Sequence, residues 1–329
     1  VNIQHYQDLI ASELERLISG LPKEPERLYE PLRYTLAHGG KRMRPLLSLI
    51  GAGMFTDDVR PAVPAAIGIE LFHNFTLLHD DIMDNAPLRR GRETVYSRWN
   101  SNIAILSGDA MYTEAFRSIA LSPPHILKHV LDVFTRTALE VCEGQQMDMD
   151  FESRAKVSIP EYIRMIELKT AVLLAASLEI GALCGGAYAT EAHKLYEFGR
   201  HIGIAFQLQD DILDVYGDPE KFGKQVGGDI VSNKKTYLLI SALEKADAYS
   251  KEALQNWLQV SVDSTRNDND QKVKAVTAIY DQLGIRKLAE SEMQKHYELG
   301  IAALESMHVD ETKKNLLRGF ADSLMVREH

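Results

Sequence analysis

Six aspartates carry the strongest chemical signal in this chain. Asp80, Asp81 and Asp84 stand in the run DDIMD, and Asp210, Asp211 and Asp214 in DDILD. On a helix, Asp80 with Asp84 and Asp210 with Asp214 are i, i+4 pairs, on one face and about 6 Å apart along the axis. Such like-charge pairs are unfavourable, and a position near a helix C-terminus adds the repulsion of the macrodipole. A cation removes both costs. Mg²⁺ keeps several waters, takes one or two carboxylates and fills its remaining positions with substrate phosphates. The spacing predicts all six aspartates as metal ligands, on two facing ledges with a diphosphate between them. The bland alternative is a pair of solvated acidic patches. The apolar flanks in LLHDDIMD and FQLQDDILD, and the repetition of the pattern, weigh against it.

A metal-diphosphate site also needs cations. Lys41, Arg42 and Arg44 lie in GGKRMRP, and Arg89 and Arg90 in PLRRGRET just after the first aspartate run. Arginine matches a phosphate with a planar fork of donors, and lysine acts as a movable point charge. Each alone reads equally well as a surface charge, and a glycine pair is a common helix C-cap.

The elements that must position these groups are helical by period. An apolar stripe of Leu9, Ile10, Leu14, Leu17 and Ile18 stops at Gly20-Leu21-Pro22. Further helices are predicted over about 25–38, with Pro31 as a kink or a late start, and over 46–54, 64–84, 100–121 and 124–148. Ser158 with Glu161 three residues on, and Pro160 in the first turn, predicts a capped helix running to Cys184. Thr190 caps another reaching Tyr216, and four or five shorter helices follow Lys235. No alternating strand pattern, solenoid repeat or low-complexity linker shows. The prediction is one all-α domain, residues 1–329, of ten or more helices. The loops 85–97, 150–157 and 218–233 stand out, the last as a candidate lid.

The 329 residues are 45% hydrophobic and 26% charged, which excludes disorder. A net charge of -10 has the wrong sign for a global nucleic-acid footprint. Two cysteines, Cys142 and Cys184, suggest reduced thiols in an intracellular protein. The N-terminus lacks signal-peptide features, and the apolar stretch Ala171 to Ala189, broken by Glu179 and a glycine pair, reads as a core helix and not a stable membrane span.

In order, GGKRMRP, LLHDDIMDNAPLRRG, ELKTA, FQLQDDILDVYGD and GKQVGGDIVSNKKT resemble the trans-prenyltransferase family, the polyprenyl diphosphate synthases. The resemblance spans about 28–238. It implies an isoprenoid-synthase helical bundle around a deep central cavity, a cytoplasmic homodimer, and typically three Mg²⁺ ions held by the six aspartates. The implied reaction is head-to-tail condensation of isopentenyl diphosphate with an allylic diphosphate (dimethylallyl, geranyl or farnesyl). Asp80, Asp84, Asp210, Arg89, Lys169 and Lys224 match catalytic positions. Arg89, Lys169, Thr170, Gln207, Lys224 and Lys234 match positions holding the allylic diphosphate. Lys41, Arg44, His73 and Arg90 match the isopentenyl diphosphate pocket. Read without the resemblance, His73 is a core histidine, Thr170 bonds its own backbone, and Lys234 and Lys235 are interchangeable. In some relatives a basic tail closes the site, and here only Arg327 and His329 could serve.

The Mg²⁺ and basic groups would stabilise the departing diphosphate, and the double bond of isopentenyl diphosphate would attack the allylic cation. In the family the released diphosphate takes the final proton. A growing tail must run back along the first aspartate helix, where Phe75, Thr76 and Phe72 lie one to two turns below the metals. Phe75 is the expected floor, unless it only packs the core and the floor lies on a facing helix. The undivided DDIMD and the Phe-Thr pair look like archaeal-type geranylgeranyl synthases, implying an all-trans product of C15 to C20, leaning to C20. A farnesyl synthase is the alternative. A terpene cyclase, or a noncatalytic subunit of a heteromeric synthase, fits the complete motifs and the isopentenyl pocket less well.

Overall fold

The computed structural model describes residues 3–37, 40–218, 226–260 and 265–325. They are helical throughout apart from one two-stranded hairpin, β1 (Leu88–Arg89) with β2 (Arg92–Glu93). No helix among them is long and apolar enough to cross a membrane. The chain divides into two compact units.

The first unit comprises residues 1–136, 176–196 and 308–313. It contains α1 (Ile3–Gly20), α2 (Glu26–Ala37), α3 (Met43–Gly53), α4 (Val63–Met83), the short α5 (Val95–Arg98) and α6 (Ser101–Ile119). It also holds the opening turns of α7 (Leu127–Ser153) and α10 (Ala189–Tyr216), and most of α9 (Val172–Cys184). Helix α4 is its centre: Ala65, Ala66, Ile69, Leu71 and Phe72 are buried. Small residues bring α3 and α9 to backbone contact. A Cβ on Gly181 would stand 1.9 Å from the Ser48 carbonyl oxygen, and one on Gly51 2.4 Å from that of Leu178. Overpacking at either position forces the helices apart.

The second unit comprises residues 137–175, 197–307 and 314–329. Beyond the remaining parts of α7, α9 and α10 it holds α8 (Ile159–Ile166), α11 (Gly228–Val231), α12 (Tyr237–Lys245), α13 (Ala248–Leu258), α14 (Arg266–Gln282), α15 (Ile285–Glu305) and, from Lys314 on, α16 (Glu311–Met325). Tyr162, Ile204, Leu208, Leu238, Leu254, Tyr280 and Ile285 form its core. Helix α10 also meets α15 through a histidine pair, His201 Nδ1 to His296 Nδ1 at 2.9 Å. Arg200 lies 3.0 Å from His201 Nε2 and can only donate, so that nitrogen accepts and the His201 proton sits on Nδ1.

Several boundaries differ from the sequence expectation. Helix α2 carries the buried Pro31 without interruption, and α3 starts at Met43, so Arg44 sits in its first turn. Helix α7 begins at Leu127 and continues to Ser153: Pro123 and Pro124 belong to the preceding turn, and Lys235 holds the last turn by donating to the carbonyls of Phe151 (2.6 Å) and Glu152 (3.3 Å). The predicted helix from Ser158 to Cys184 is α8, one π-helical turn at Glu167–Ala171, and α9. Ser158 and Glu161 form the expected capping box. Both cysteines are free, Cys142 exposed and Cys184 buried.

Candidate active site

In the first unit, the C-terminal end of α4 presents Asp80 and Asp81, and Asp84 follows as its exposed cap residue. The hairpin loop folds back so that Arg89 Nε donates to Asp81 Oδ1 at 2.7 Å and its Nη2 to Asp80 Oδ2 at 3.2 Å. Burial pushes the Asp81 carboxyl up, and the Arg89 charge pulls it back. A cleft of about 530 Å³ opens beside them, lined by Asn74, Asp81 and four arginines, Arg42, Arg89, Arg90 and Arg92. A Cβ on Gly40 would lie 2.2 Å from the Arg90 guanidinium, so the GGKRMRP glycine makes room for a distant charge. Lys41, the next residue, is exposed.

Arg44 Nη1 lies 3.1 Å from His73 Nε2. The guanidinium has no acceptor, so this nitrogen accepts and the proton of the neutral ring sits on Nδ1. Burial, together with Arg44, Arg90 and Arg89, drives the His73 pKa far down. Burial lowers Arg44 to about 10 against the opposing charge of Glu70. Arg44 thus satisfies one nitrogen of His73, and the charges of Arg44 and Arg90 keep the ring neutral.

Below the acids on α4, Phe75 stacks on Tyr112 of α6, with ring centroids 4.8 Å apart and 16° between planes. The buried Phe72 packs on Phe75 at 5.6 Å and on Phe134 at 5.4 Å. Thr76 donates to the His73 carbonyl at 2.8 Å, so its hydroxyl is engaged with its own helix. The sequence reading missed Tyr112 and Phe134; the i, i+4 pair Tyr112 and Phe116 was the available signal.

In the second unit, α10 presents Asp210, Asp211 and Asp214 near its end. The buried Asp211 accepts from the Tyr162 hydroxyl at Oδ2 and from Gln207 Nε2 at Oδ1, 3.3 Å. Burial and the charge of Asp229 push Asp211 up to about 7. Asp214 accepts from the Asp229 N–H at 2.9 Å, and its carbonyl from Gly227 N–H at 2.6 Å. Gly227 has φ +89°, a conformation that glycine takes without penalty.

The π-helical turn carries Lys169 and Thr170. Lys169 Nζ pairs with Asp148 at 2.5 Å, and Thr170 Oγ1 reaches Gln207 Oε1 at 3.4 Å, so the threonine does not merely bond its own backbone. A Cβ on Gly144 of α7 would stand 2.3 Å from the Lys169 nitrogen, so a glycine is what admits the widened turn. Lys234 and Lys235 are not interchangeable. Lys235 caps α7, whereas Lys234 stands 4.0 Å from Asp229. Burial lowers the Lys234 pKa, yet Asp229, Asp148, Asp211 and Asp214 raise it overall. Tyr162, Asp148 and Asp229 went unread in the sequence; Asp229 lay within the quoted GKQVGGDIVSNKKT but off the DDxxD spacing. Lys224, Arg327, His329 and positions 219–225 of the expected 218–233 lid lie outside the described residues.

Among the described residues, no three acidic, histidine or cysteine side chains come together as a ready metal cage. The hard carboxylate oxygens of Asp80 and Asp84 at the end of α4, and separately those of Asp210 and Asp214 on α10, are donors of the type that suits an ion completing its shell with diphosphate and water, as Mg²⁺ does.

Comparison with known proteins gives a consistent result. The family model described as Polyprenyl synthetase matches residues 25–279. The geranylgeranyl diphosphate synthase of Methanosarcina mazei is 40% identical over 311 residues, covering 93% of this chain and 91% of that protein. A short chain isoprenyl diphosphate synthase of Methanothermobacter thermautotrophicus is 34% identical, with 99% and 98% covered. A crystal structure of a geranylgeranyl pyrophosphate synthase superimposes with a TM-score of 0.94 at 42% identity, covering all of both chains.

Proposed function

We infer the activity from the chain's family: it belongs to the polyprenyl synthetase family, and it is a prenyltransferase that condenses isopentenyl diphosphate with an allylic diphosphate to a C20 all-trans prenyl diphosphate. The observation that carries this reading is the make-up of α4, with carboxylates and arginines at its end and a stacked aromatic wall one to two turns back. A diphosphate head belongs at the first and a hydrocarbon tail against the second.

Mg²⁺ bound at both aspartate motifs would supply charge neutralisation for the leaving diphosphate. The chain's own groups do the remainder. Lys169, Lys234 and Arg89 hold the allylic diphosphate, and Lys224 is proposed to join them. Arg44, Arg90, Lys41 and the neutral His73 hold isopentenyl diphosphate, His73 as the hydrogen-bonding member of a cationic pocket. Tyr162 and Gln207 already occupy the oxygens of Asp211, so we assign that residue a supporting place behind Asp210 and Asp214. The apolar walls keep water from the allylic cation. Ile105 and Leu106 are exposed on α6 and provide an apolar face for the proposed homodimer, which light scattering tests.

The purified chain with dimethylallyl, geranyl or farnesyl diphosphate, isopentenyl diphosphate and Mg²⁺ should yield geranylgeranyl diphosphate by mass spectrometry. Asp80→Ala and Asp210→Ala should each abolish turnover with helicity intact by circular dichroism. Retained turnover in both variants rejects the metal assignment, and a product ending at C15 selects the farnesyl alternative.

A further inference from the structure

Lys272 of α14 is completely buried. Lysine is almost never so unless it is paired. Its partners among the described residues are three oxygens, none a carboxylate: Asn233 Oδ1 at 2.7 Å, the Val231 carbonyl at 3.1 Å and the Val260 carbonyl at 3.3 Å. Three donors meet three acceptors, so the ammonium is saturated, and burial lowers its pKa. A plain packing position would be served by hydrocarbon, without the cost of desolvating a charge.

Two of the three acceptors belong to the segment 226–236. Val231 ends the four-residue α11. Asn233 stands in a left-handed conformation (φ +57°), with its Nδ2 donating to the Leu258 carbonyl at 2.9 Å. A helix of four residues has no stability of its own and takes its place from its attachments. On one side the segment is tied to Asp214 through the N–H groups of Gly227 and Asp229. On the other it is tied to Lys272. Asp229 is itself tied to Asp214, and Lys234 directly follows the clamped Asn233, with the Lys234 N–H bonded to the Asp229 carbonyl at 2.9 Å.

We propose that Lys272 is a positioning residue for diphosphate binding: its ammonium fixes where Asp229 and Lys234 stand against Asp214, and so sets how tightly the second aspartate motif takes magnesium diphosphate. It touches neither substrate nor metal and acts through the segment it clamps. The role assigned to the segment rests on the function proposed above.

The test uses the full chain with Lys272→Met, which keeps the volume, and Asn233→Ala, which removes one acceptor. Calorimetry with Mg²⁺ and inorganic pyrophosphate is run beside steady-state kinetics. Loss of the clamp should weaken Mg-pyrophosphate binding and raise the allylic KM about tenfold, with the KM for isopentenyl diphosphate held within about twofold. Asn233→Ala should move the same two quantities by a smaller factor. Unchanged affinity and allylic KM in a folded Lys272→Met overturn the proposal whatever its melting temperature, as does an equal rise in both KM values. If Lys272→Met does not fold, unchanged constants in Asn233→Ala overturn it. A wild-type chain that binds Mg-pyrophosphate but makes no prenyl product rejects the proposed function, while the binding arm still decides the clamp.

Discussion

At the scale of the residue, the candidate site is a matter of which partner each polar atom already has. Arg44 fixes the tautomer of His73, Arg89 bridges Asp80 and Asp81, and Tyr162 holds Asp211. Phe75 is different, because its partner is another ring. Its stack on Tyr112 places an aromatic wall about five residues, or roughly 7.5 Å of helix rise, below Asp80. Phe75→Ala should leave a hollow beside Tyr112, lower stability by up to about 3 kcal/mol and shift the product beyond C20. Chain lengths by mass spectrometry decide it: an unchanged distribution refutes Phe75 as the floor. The acids and the arginine runs were legible in the sequence because their spacing is local. Tyr112, Tyr162 and Asp148 were not, because each earns its place through a contact with a residue far along the chain.

At the scale of the element, local chemistry wrote some boundaries into the sequence and tertiary contact overrode others. The Ser158–Glu161 box was legible because both halves lie within one turn. Its hydrogen bonds from Ser158, aided by Arg154, hold the Glu161 carboxyl down at about 2. A carboxyl depressed in the folded state stabilises above its ordinary value, and that contribution is lost as pH falls from about 4.5 toward about 2. Ser158→Ala should therefore flatten the decline of melting temperature over that acid window; an identical decline in both proteins removes the box as its cause. The π-helical turn was not legible, since ELKTA carries no breaker and the widened backbone is accommodated by Gly144, more than twenty positions upstream.

At the scale of the whole molecule, helical period and the absence of strand alternation foretold the all-α architecture, but no linker announced the two compact units. The histidine pair ties acid stability to long-range packing. His201 is pushed down to about 4, by burial first, then by Arg200 and His296, with Glu197 opposing and Lys295 adding to the effect. His296 is lowered by burial, with Glu292 opposing. For a base whose folded pKa is lowered, the unfolded chain takes up protons first, so the pair stabilises above about 6.5 and loses that contribution as pH falls toward about 4. His201→Gln should reduce the loss of melting temperature across that window, and an unaltered pH slope in the variant counts against the assignment. The π-helical turn reaches further than its five residues. It stores one surplus position in an otherwise regular helix, so every position after it is turned by about 100° from where simple counting would place it. Deletion of one residue there would close the backbone into an ordinary helix while aiming Lys169 and Thr170 elsewhere.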